Sequence, residues 1–201
     1  MEGLELVLAT ANPDKAEEIR VILGSVPGLV LRPRPLSAPD VAETGDTLVD
    51  NARLKAFSLV EATGMAAVAD DTGLEVDALG GAPGVYSARY SGDHASYADN
   101  VSKLLAELGR HQADTPDRRR ARFRCVAFVG FPDTGEVWTE GEVLGTIAPS
   151  ALGDGGFGYD PVFAPDGGGG RTFAQMAPEE KHALSHRGRA FRALADRLKE
   201  V

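Results

Sequence analysis

The stretch Val68–Tyr90, VADDTGLEVDALGGAPGVYSARY, decides how the chain is read. Ala66, Ala67, Val68 and Ala69 make an apolar run too short for a helix, which predicts a buried strand. The strand is expected to end on two carboxylates, Asp70 and Asp71. Thr72 and Gly73 would then turn the chain into a second apolar–acidic stretch, Leu74–Leu79, and on into the Gly/Pro-rich GGAPG. Adjacent acids at the carboxyl end of a buried strand stand where open α/β sheets place ligands. Side by side they would repel and lose solvation, so their joint ionisation needs a cation or converging donors. A hard divalent ion carrying phosphates supplies the cation. Asp-Asp-Thr-Gly is equally compatible with a plain strand-to-turn junction, its side chains bonding nearby backbone N–H groups.

Upstream, Leu4–Ala9 reads as a short apolar strand that breaks into TANPDK. Asn12 suits a helix N-cap and Pro13 the first turn, while Ala16, Ile19, Ile22 and Leu23 recur at helical spacing up to Gly24. A strand, a tight polar turn and a helix N-terminus offer N–H groups and a positive dipole end to an anion. Lys15 opposes the dipole there, which suits a side chain facing an anion or simply a solvated one. Leu29–Leu36, crowded with Pro33 and Pro35, reads as an edge strand. Thr47 is expected to cap a helix through Thr63, with Asp50 as capping partner and Gly64 as terminator. Asn51 and Lys55, four apart, border its apolar stripe, so the lysine could lay its stem on that stripe and aim its ammonium into a cleft.

Downstream, Ser96 and Asp99 open a third helix with an apolar face at Val101, Leu104, Leu105 and Leu108, stopped by Gly109. Arg118–Arg120 read as solvated residues leading into a strand, and the alternation around Phe123–Val129, the PDTG turn and the run through Val143–Ile147 predict an antiparallel meander. LGDGGFGYDPVF, residues 152–163, lacks the Gly-Lys-Ser/Thr of a phosphate-binding P-loop. Its glycines bare the backbone around Phe157, Tyr159 and Asp160, a setting for a flat heterocycle or for a loop packed on the core. Ser185 caps a terminal helix whose first turn carries His186 and Arg187, cations at the wrong dipole end unless an anion lies near.

With 201 residues the chain has room for one α/β domain, and a net charge of -9 argues against general nucleic-acid binding. Cys125, the only cysteine, excludes an intrachain disulfide and suits a reducing compartment. No basic-then-apolar leader or membrane-length apolar run is seen, so a soluble, cytoplasmic protein without membrane partners is expected.

Five blocks, ATANPDK (9–15), ETGDTLVDNARLKA (43–56), ADDTGLEVDALGGAPGVYSARYSG (69–92), GGFGYDPVF (155–163) and EEKHALSHRGRA (179–190), together resemble in this order the motifs of the noncanonical purine NTP pyrophosphatases. This is the inosine triphosphatase-like, or XTP/dITP diphosphatase, family. The resemblance implies an α/β fold with an elongated mixed sheet and flanking helices, forming two lobes around a central cleft without a separable linker, and a homodimer. It implies Mg2+-dependent hydrolysis of XTP, ITP and dITP to the monophosphate and pyrophosphate. By the same resemblance Thr10, Asn12, Lys15 and Lys55 would serve the triphosphate, and Asp70 would be the catalytic, metal-binding carboxylate with Asp71 contacting substrate. Phe157, Gly158, Tyr159 and Asp160 would hold the nucleoside, with Lys181, His186 and Arg187 reading the base or its phosphates. Glu43 would be a second metal ligand; Ala42 stands where the family often has another glutamate, and Asp50 where glutamate is common. The alternatives are a Maf-like pyrophosphatase acting on modified pyrimidines and a non-catalytic nucleotide sensor.

Overall fold

The computed structural model describes residues 3–199. Its strands are β1 (Leu4–Leu8), β2 (Leu29–Arg32), β3 (Ala67–Val76), β4 (Pro83–Gly84), β5 (Arg120–Gly130), β6 (Glu136–Ile147) and β7 (Phe163–Pro165). Its α-helices are α1 (Pro13–Leu23), α2 (Leu48–Thr63), α3 (Tyr97–Arg110), α4 (Pro178–Leu184) and α5 (His186–Leu198). Among the described residues the strands form a seven-stranded sheet in the order β2-β1-β3-β5-β6-β7, with β4 paired to β3. The pairing is mixed, since β1 is parallel to β2 and β3 whereas β4 and β7 run antiparallel to β3 and β6. Two compact units divide the chain: one holds the chain up to Asp71, Cys125–Gly141 and the chain from Arg187, the other Thr72–Arg124 and Glu142–His186. The strands β3, β5 and β6 each contribute to both.

In the first unit the sheet is clothed on both faces. Leu6, Leu8 and Val68 pack with Ile19 and Leu23 of α1 and Phe191 and Leu194 of α5. Val7 and Ala67, of opposite parity, pack with Leu59 and Val60 of α2. That split follows from the two-residue period of a strand. Helix ends form as expected: Asn12 caps α1, Thr47 caps α2, and Gly64 closes α2 in the left-handed conformation with φ 69°. Gly24, by contrast, closes α1 in the right-handed region. The edge strand is cut to Leu29–Arg32, just before Pro33.

The second unit has its own core of Leu74, Val76, Leu104, Leu108, Phe123, Ile147, Phe163 and Phe173. Ser96 and Asp99 complete the expected capping box, but α3 continues past Gly109 to Arg110. Arg119 is no solvated residue: it donates to the carbonyls of Ile147, Ala113 and Ala148.

The largest departure concerns the opening stretch. No turn interrupts it at Thr72–Gly73; β3 runs unbroken for 10 residues through both acids. Leu74 and Val76 are fully buried, and Leu74 and Glu75 pair with Gly84 and Pro83, which keeps the backbone extended. Asp70 and Asp71 therefore sit in mid-strand rather than at a strand's carboxyl end.

Candidate active site

Mid-strand placement sends the two adjacent side chains to opposite faces of the sheet. Asp70 points to the α1/α5 side, where its Oδ2 lies 3.2 Å from Lys15 Nζ and accepts from Arg187 Nη2 at 3.1 Å and Nε at 3.3 Å. Asp71 points to the α2 side, where its Oδ1 accepts from Lys55 Nζ at 2.7 Å and its Oδ2 from Asn51 Nδ2 at 3.4 Å. The mutual repulsion expected of neighbouring acids is thus eased by geometry, and different cations contact each acid.

Their proton affinities diverge accordingly. Burial works against an ionised Asp70, but Lys15 and Arg187, helped by Lys55, hold its carboxyl well below the usual range. Burial pushes the Asp71 carboxyl above that range, and Lys55 and Lys15 offset this only in part. Lys55 is itself kept charged despite burial by Asp71, Glu43 and Asp70.

Glu43 belongs with Asp71: its Oε1 accepts from the same Lys55 Nζ at 2.9 Å. Glu43 and Asp71 therefore share Lys55, while Asp70 lies against Lys15 and Arg187. Among the described residues no set of three or more His, Cys, Asp or Glu side chains is arranged to hold a metal ion. Two hard carboxylates do fit a cation that draws its other ligands from water and phosphate, the habit of Mg2+ rather than of a caged metal.

The start of α1 is engaged internally. Asn12 Oδ1 accepts from the amides of Asp14 (2.9 Å) and Lys15 (3.2 Å), the Ala16 amide bonds Asn12 O, and the Asn12 amide donates to Thr10 Oγ1 at 3.1 Å. The expected anion-binding amides are therefore satisfied by the cap, leaving the Lys15 side chain as that loop's cationic handle. The misplaced cation at the start of α5 is also explained from within, because Arg187 meets Asp70 and donates from Nη1 to buried Glu18 at 2.6 Å. Glu18 was not anticipated, although its spacing of three from Lys15 places both toward one side of α1.

In the second unit the GGFGYD loop is fastened by Asp160, whose Oδ2 accepts from the Phe157 amide at 2.8 Å and from Lys181 Nζ at 2.5 Å. The Lys181 ammonium also stands 4.6 Å from the Phe157 ring centroid, a cation–π contact. Gly156, at φ 70°, is required: a Cβ there would meet Asp160 Oδ2 at 2.1 Å. Gly158 takes φ 62° between the two aromatic residues. Tyr159 is buried and donates its hydroxyl to the carbonyl of Ser87 at 2.9 Å. His186 is buried with its ring stacked on Phe123, centroids 4.4 Å apart and planes 10° off parallel. Ser87 and Phe123 were not singled out from sequence, because only the folded chain brings them to Tyr159 and His186.

Comparison with known proteins completes the picture. The Ham1 family pattern matches residues 6–197. The chain belongs to the Ham1 family. A dITP/XTP pyrophosphatase of Streptomyces coelicolor is 48% identical over 200 residues, covering 98% of this chain and 98% of that one. The structure of a HAM1 protein from Coxiella burnetii superposes with a TM-score of 0.86 at 38% identity, covering 98% of this chain and 100% of the other. The Ham1 protein of Staphylococcus aureus gives 0.83 at 40% identity, with 98% of each chain covered. The mixed α/β fold expected from the sequence is thus the Ham1 fold.

Proposed function

We propose that this chain hydrolyses dITP and XTP, and with them ITP, to the monophosphate and pyrophosphate. The observation that carries the reading is the opposed setting of Asp70 and Asp71 on one strand, within a chain that matches named dITP/XTP pyrophosphatases over nearly its whole length.

The residues divide the work as follows. Following the resemblance, Glu43 and Asp70 would hold Mg2+, which when bound neutralises charge developing on the phosphates. Lys55, paired with Glu43 and Asp71, and Lys15, paired with Asp70, exchange part of their carboxylate contacts for phosphate oxygens. By the same resemblance Asp70 orients the water that attacks the α-phosphorus, and Asp71 contacts the substrate. Positioning still outweighs proton abstraction for a carboxylate at neutral pH. Asp70 also holds Arg187 and Lys15, and Thr10 and Asn12 shape the loop that carries Lys15.

Following the resemblance, the nucleoside is assigned to Phe157, Gly158 and Tyr159 on the loop that Asp160 and Lys181 fasten, with His186 beside it. The three donor nitrogens of Arg187 already face Asp70 and Glu18, so Arg187 is given a positioning role rather than that of a base reader. Donors facing a 6-oxo group would stay unpaired against a 6-amino group, a mismatch able to discriminate by roughly 10⁴-fold. Homodimeric assembly and a cytoplasmic location are proposed on the family resemblance.

Release of pyrophosphate from dITP and from dATP, with and without Mg2+, tests the reading. Turnover of dITP that needs Mg2+ and far exceeds that of dATP supports it. Equal turnover of the two nucleotides, or none of either, rejects it.

A further inference from the structure

Asn51 is fully buried in the first turns of α2, one helical turn before Lys55. Its Oδ1 accepts from the Gly45 amide at 2.8 Å and its Nδ2 donates to Asp71 Oδ2 at 3.4 Å. This orientation of the amide follows from chemistry, since a backbone N–H can only donate and an ionised carboxylate can only accept. Gly45 is fitted to the contact: a Cβ there would lie 2.6 Å from Asp50 Cβ and 2.8 Å from Asn51 Oδ1. Lys55 spans the same two segments, from Glu43 Oε1 at 2.9 Å to Asp71 Oδ1 at 2.7 Å. One helix face therefore ties the 43–45 turn to β3 twice, once through an ammonium and once through a neutral amide.

The two ties answer differently to a polyanion. A triphosphate competes for the ammonium, because its oxygens offer the same charge-assisted bonds as the carboxylates. The amide carries no charge for phosphate to draw away. We propose that Asn51 is a positioning residue that keeps Asp71 and the 43–45 turn in register while Lys55 is engaged by phosphate. This rests on the function proposed above.

Two substitutions separate the ties. Asn51→Asp can still accept from the Gly45 amide but presents an oxygen to Asp71, whereas Asn51→Ala loses both bonds. For Asn51→Asp the expected result is wild-type hydrogen-exchange protection at the Gly45 amide. With dITP, kcat should fall by at least about tenfold while KM stays within about threefold, the cost of losing a donor to a charged partner. For Asn51→Ala, protection at Gly45 should fall at least about tenfold together with kcat. If Asn51→Asp does not accumulate folded, Asn51→Ser, too short to span both partners, carries the same kinetic comparison. Wild-type kcat in folded Asn51→Asp (or in Asn51→Ser where that stands in), or undiminished Gly45 protection in Asn51→Ala, would overturn the proposal. So would a loss of rate that disappears once the unfolded fraction is subtracted. Failure of the wild type to release pyrophosphate from dITP would instead reject the proposed function, while the exchange measurement still reads the Gly45 tie.

Discussion

At Asp70 and Asp71 a single peptide bond separates two carboxylates that the fold treats oppositely. Asp70→Asn keeps the size of the side chain but removes its charge, and should lower kcat for dITP by roughly 10²-fold or more, as for other groups that place a reacting water. The same substitution should also act on stability. It leaves Arg187 and Lys15 facing a neutral amide in a buried setting, at a cost of roughly 3–5 kcal/mol, read from denaturant midpoints. The pH dependence carries a sign. The folded-state pKa of Asp70 is depressed, so its contribution is present above the unfolded value of about 3.9 and is lost as pH falls from there toward the folded value. Wild-type stability should therefore drop below about pH 4, and Asp70→Asn should show a shallower drop over the same window in a pH series of thermal melts. If the two profiles run parallel, the pairing with Arg187 and Lys15 contributes no linkage.

Among the elements, helix ends were legible and the central strand was not. Caps at Asn12, Thr47 and Ser96 act within a few residues, so the local chain carries all the information needed to place them. Ser96→Ala, which breaks an exposed capping box, should cost about 1 kcal/mol, read from denaturant midpoints. In β3, Asp, Thr and Gly spelled a turn by their own propensities, yet burial of Leu74 and Val76 and pairing with β4 overrode them. The glycine loop reads from sequence as accessible backbone around Phe157, Tyr159 and Asp160, but Tyr159 and Asp160 are buried, and Asp160 holds the Phe157 amide together with Lys181, 21 residues on. Gly156→Ala should displace Asp160, loosen the Phe157 amide and raise the KM for dITP several-fold, with kcat less affected.

For the whole molecule, each unit has its own apolar core, while β3, β5 and β6 belong to both through unbroken backbone. Removing a large side chain from either core, as in Phe191→Ala or Phe163→Ala, should cost roughly 3–5 kcal/mol. Because three strands are common to both units, either substitution should shift a single calorimetric transition, with calorimetric and van't Hoff enthalpies in agreement. Two resolved transitions would show that the shared strands do not couple the units. Composition and periodicity determined the α/β class and the helix starts, since these depend on near neighbours and on average polarity. Block order determined the family. Only the tertiary structure decided that Asp70 answers to Lys15, Glu18 and Arg187 while Asp71 answers to Glu43, Asn51 and Lys55. The reason is that a strand's alternation separates neighbouring side chains, and which helix covers each face is settled by packing across the sheet, information that no local stretch contains.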